Sequence, residues 1–138
     1  MKTVKILLLS IVSMLLLSNV AKAQSKFDLW PELKTFHGVM SPTFHPSEEG
    51  NLSPIKERIG EMVTKAEALA QSKIPSQFEN DAIKEAVNKL AVDSKKLQTL
   101  ITEKANDEQI KTALSNLHDT FHVIVEKCNK GDEKHSDH

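Results

Sequence analysis

Lys34-Thr-Phe-His-Gly-Val-Met-Ser-Pro-Thr-Phe-His-Pro-Ser-Glu-Glu-Gly50 is the stretch on which the reading of this chain turns. With Leu33 just before it, its first half carries a helical pattern that sets Leu33, Phe36, His37 and Met40 along one side. Proline suits a first helical turn, so a helix is expected to begin between Asp28 and Pro31. Ser41-Pro42 is expected to stop it, because the residue before a proline is pushed out of helical geometry. Residues 43–53 then read as an irregular loop punctuated by Pro46 and Gly50. The span also gathers His37, Met40, His45, Glu48 and Glu49, more metal-ligand chemistry than a plain connection needs.

Downstream the pattern is regular. Ser53-Pro54 offers a hydroxyl cap followed by a proline at the first helical position. Ile55, Ile59, Met62, Val63, Ala66, Leu69 and Ala70 then recur at helical spacing, and Pro75 ends the run. Ser76-Gln-Phe-Glu79 has the form of a capping box for a third helix, whose stripe is Ile83, Val87, Leu90, Leu97 and Ile101. Asn106 is the expected cap of a fourth helix reaching about Asn129. That helix shows Ile110, Ala113, Leu114, Leu117, Phe121, Ile124, Val125 and Cys128 on one face. With no sustained period-two alternation and no Tyr, the fold class is all-α. Short turns favour an antiparallel up-down four-helix bundle, with the irregular loop after the first helix.

The ends bound the domain. Lys2 and Lys5, the apolar run from Ile6 to Leu17, and Ala21-Lys-Ala23 form a secretory signal peptide over residues 1–23. The apolar run is short for a membrane span, and no second one follows. The expected product is exported, to a periplasm or to the outside of the cell. Residues 24–130 form the bundle, and residues 131–138 read as a charged, disordered tail. The whole chain has a net charge of −1, and removing the lysine-bearing leader makes the remainder more acidic. No dense Lys and Arg face exists for a nucleic acid. A single cysteine, Cys128, rules out an internal disulfide framework.

Leu117-His-Asp-Thr-Phe-His122 sets two histidines one helical turn apart. In an up-down bundle the first and last helices are neighbours running in opposite directions. If Leu29 lies level with Asn129 and both helices rise evenly at about 1.5 Å per residue, position 37 falls opposite 121 and position 40 opposite 118. His37 thus comes level with His122, and Met40 with His118. His37, Met40, His45, His118 and His122 are therefore the expected metal ligands, with a carboxylate of Glu48 or Glu49 to complete the shell, while Cys128 on the core stripe reads as a buried thiol. Imidazole suits copper or zinc, and a thioether tilts the choice toward Cu(I).

The Phe121-His122 pair, six residues before Cys128, resembles the last helix of the soluble four-helix cytochromes of the b and c-prime types. That resemblance implies haem b as an alternative cofactor, with His122 as one axial ligand and Met40 or His37 as the other, for electron transfer or gas binding. Covalent haem in its usual form is excluded, because no Cys-x-x-Cys-His is present. A structural or interaction module without ligand is the third reading. An enzyme is not expected: there is no Glu-x-x-His pair, nucleophile elbow or glycine-rich phosphate loop.

Overall fold

The first long helix does not stop at Ser41. The structure, a computed structural model, describes residues 24–135, with side chains as far as residue 130. The signal-peptide reading, residues 1–23, and the last three residues of the tail lie outside it. Within it, a single helical turn, α1 (Lys26–Leu29), precedes four long helices: α2 (Pro31–Glu48), α3 (Ser53–Gln71), α4 (Asp81–Thr102) and α5 (Asp107–His135). A 3-10 turn, Ser76–Phe78, joins α3 to α4, and there is no strand among the described residues. Each long helix packs against the next, and α2 also meets α5.

The irregular loop expected at residues 43–53 is thus mostly helix; only residues 49–52 are irregular. The local rule failed because burial overrode it. Leu33, Phe36, Val39, Met40, Thr43, Phe44 and Ser47 are all buried, and they continue one helical stripe through both prolines. Pro42 and Pro46 stand four apart, so their missing N–H groups fall on the same side. The carbonyls that lose a partner belong to Gly38 and Pro42, both on the exposed side, where solvent can pair with them. On the inner side the Thr43 hydroxyl donates to the carbonyls of Val39 (2.8 Å) and Met40 (3.0 Å). The Ser47 hydroxyl donates to that of Phe44 (2.6 Å), so neither buried hydroxyl is left unpaired.

Gly50 is what ends α2. Its φ of 85° is open to glycine at little cost. In that conformation the Gly50 N–H donates to Ser47 O (3.1 Å) and the Asn51 N–H to Pro46 O (2.9 Å), closing a Schellman motif. Lys104 does the same after α4, at φ 57° without glycine's freedom, as Ala105 N–H reaches Leu100 O (2.9 Å).

Three helix ends also differ from the expected ones. Ser53 lies inside α3 and makes no side-chain cap; its N–H is taken by Asn51 Oδ1 (3.1 Å). Ser76 opens only the 3-10 turn, which tucks Phe78 into the core, and α4 is capped by Asn80, whose Oδ1 accepts from the Ile83 N–H (2.9 Å). Helix α5 runs on to His135, past Asn129 and through Gly131. Asn106 does cap α5: its Oδ1 accepts from Gln109 N–H (2.9 Å), and the Gln109 side chain returns to the Asn106 N–H (3.2 Å).

The core runs unbroken from Trp30, just before α2, and Leu33 on α2 to Ile124 and Cys128 on α5. Trp30 anchors one end, its indole N–H donating to Ser72 Oγ (2.8 Å) beyond the end of α3. Near that end Lys26 Nζ donates to Asn129 Oδ1 (2.7 Å), which ties the lead-in turn to α5.

Candidate functional site

Between α2 and α5, beside the lead-in turn, lies a cleft of about 340 Å³. Its walls are Lys26 and Phe27 from α1, His37, Met40, Ser41 and His45 from α2, and His118, Phe121, His122 and Val125 from α5. Steps of three and four residues put each helix's contribution on one side. All five residues expected to bind metal line this single cleft. The pairing is close to the even-rise register: the His37 ring stacks on Phe121, with centroids 5.5 Å apart and planes 13° from parallel.

Within the cleft the five residues play different parts. His118 and His122 form a close pair, Nε2 to Nε2 3.1 Å, with rings nearly perpendicular. Phe44 lies flat against His118, with centroids 3.6 Å apart and planes 10° from parallel. That stacking orients the ring. Burial and the neighbouring His122 together hold the His118 pKa below the ordinary imidazole value. Met40 is fully buried.

His37 and His45 stand apart from the pair. The exposed His37 stacks with Phe27, at 5.2 Å, as well as with Phe121. His45 Nδ1 meets Glu48 Oε2 at 3.1 Å, an exposed pair that contributes little to stability. Among the described residues no three His, Cys, Asp or Glu side chains stand together as metal donors. The shell of four histidines expected from the sequence is therefore not assembled; the His118–His122 pair is, with Met40 in the same cleft. Glu49 is exposed and outside the cleft lining, and Cys128 is buried in the core.

Phe27 and Phe44 were not legible as parts of the site. Phe44 had a signal, since it stands four residues after Met40 on the stripe of Leu33, Phe36 and Met40. Pro42 between them masked it. Phe27 had none, because its place over His37 depends on how the lead-in turn folds back.

No family model, curated protein or solved structure matches the chain. The likeness to the four-helix cytochromes accordingly rests on Phe121, His122 and the bundle plan alone.

Proposed function

We propose that this is an exported helical-bundle protein that binds a copper or zinc ion in the cleft between α2 and α5, for storage, delivery or resistance. One observation carries the reading: His118 and His122 present their Nε2 atoms 3.1 Å apart in a cleft that Met40, His37 and His45 also line. With metal–nitrogen bonds of about 2.0–2.1 Å, two nitrogens at that separation subtend about 100° at an ion, near the tetrahedral angle. Paired histidines four apart on a helix are the spacing used by helical zinc sites. The depressed pKa of His118 supports the same use, since only neutral imidazole has a lone pair to give.

Export is the part of the reading that rests on residues 1–23. The up-down order of the helices is supported by the partners that α1 and α2 find on α5: Lys26 with Asn129, His37 with Phe121, Phe44 with His118. Numbers rise along one helix as they fall along the other. Short connections make the same order the natural one for the rest of the bundle.

The test is metal binding by the chain from residue 24 onward, purified without a histidine tag and stripped of metal. Titration with Zn²⁺, and with copper under reducing conditions, is expected to give one ion per chain. His118→Ala combined with His122→Ala is expected to abolish it. Unchanged binding in the double variant would reject the site. A Soret band on adding haem, lost in His122→Ala, would replace the ion with haem.

A further inference from the structure

The walls of the cleft discriminate between ions. No Asp or Glu lines it among the described residues; its polar groups are imidazoles, the Ser41 hydroxyl and the Lys26 ammonium. Its apolar walls are Phe27, Phe121 and Val125. A divalent ion entering such a site meets no carboxylate in the cleft wall, only aromatic rings and an ammonium; Glu48 and Asp119 act on His118 from beyond the lining. The cost of desolvating an ion grows as the square of its charge, so a monovalent ion meets a far smaller penalty. Structural zinc sites complete four-coordinate shells, commonly with thiolate or carboxylate. The close donors here are two imidazoles, and among the described residues no third His, Cys, Asp or Glu joins them. Met40 adds a thioether, a soft donor that favours Cu(I). Cys128, the only thiol, stands six residues beyond His122, about 9 Å along α5.

Building on the metal reading above, we infer that the cleft selects Cu(I), held by Nε2 of His118, Nε2 of His122 and the sulfur of Met40. The ion enters and leaves in the same oxidation state, so no electron acceptor is required. Met40 is thereby a selectivity residue, and the histidine pair alone supplies what affinity there is for zinc.

The test is an anaerobic competition titration against a chromophoric Cu(I) chelator, beside a parallel Zn²⁺ titration, on the metal-free chain from residue 24 onward. Cu(I) is expected to bind at least about a hundredfold more tightly than Zn²⁺. Met40→Leu, a swap that conserves volume, is expected to weaken Cu(I) at least about tenfold and leave Zn²⁺ within about twofold. Equal Cu(I) affinity in Met40→Leu, or a preference for Zn²⁺, overturns the inference while the metal site stands. If neither ion binds the unaltered chain, the metal reading itself falls. X-ray absorption of the copper-loaded chain gives a readout that needs no Met40 variant to fold. A sulfur neighbour is expected, retained in Cys128→Ala; a shell of nitrogen alone refutes the role of Met40.

Discussion

His118 carries two constraints at once. One ring face is covered by Phe44, and a second imidazole nitrogen lies 3.1 Å from its own. Two protonated rings at that distance repel, and burial penalises even one, so the fold lowers the pKa of this histidine. His45, Glu48 and Asp119 also act on it, Asp119 and Glu48 favouring its charge and His45 opposing it. A histidine whose pKa is lower in the fold than in the unfolded chain binds fewer protons when folded. Stability therefore rises with pH between the depressed folded value and the ordinary value near 6.5, and is lost as pH falls through that window. The metal-free protein is expected to show a lower urea midpoint near about pH 5 than near about pH 8, with the difference reduced in His118→Gln. A pH dependence identical in that variant would show that the fold does not depress the His118 pKa. The four-residue spacing of His118 and His122 was legible in the chain because covalent geometry fixes it. The ring that orients His118 was not, because Phe44 reaches it from another helix.

Helix boundaries are where local signals competed most. Ser76 and Glu79 satisfy the pattern of a capping box, yet the turn they open lasts one 3-10 turn because Phe78 is drawn into the core. The cap that matters is Asn80, one residue before α4. Asn80→Ala is expected to lower unfolding free energy by about 1 kcal/mol, measured by urea denaturation. The exposed Ser76→Ala is expected to cost less than about 0.5 kcal/mol. The reverse order would restore the cap the sequence favoured. Helix α2 makes the same point with a larger consequence. Pro42 and Pro46 mark a loop by every local rule, but Thr43, Phe44 and Ser47 continue the buried stripe and the helix follows them. By staying helical, α2 carries Phe44 onto His118 and sets His45 on the cleft wall.

At the scale of the molecule, the core does not depend on an ion. Its members are apolar from Trp30 through Cys128, and the buried polar groups among the described residues are hydroxyls: Thr43, Ser47, Ser94 and Thr120. Chelator treatment of the metal-loaded protein is expected to leave its helical circular dichroism unchanged and to return its thermal midpoint to that of the metal-free chain. A bound ion at a hundred times its dissociation constant is expected to add about 2.7 kcal/mol of stability, read as a raised midpoint. Loss of helix on chelation would instead make the ion part of the fold. The sequence by itself determined that the chain is helical, which face of α3, α4 and α5 is buried, and that His118 and His122 share a side. These follow from spacing along one helix, which neighbouring residues specify. Only the tertiary structure decided that α2 continues through two prolines, that Phe27 and Phe121 both stack on His37, and that His45 turns to Glu48 instead of joining the pair. Those outcomes depend on burial against residues far away in the chain, and no local pattern encodes the strength of that burial.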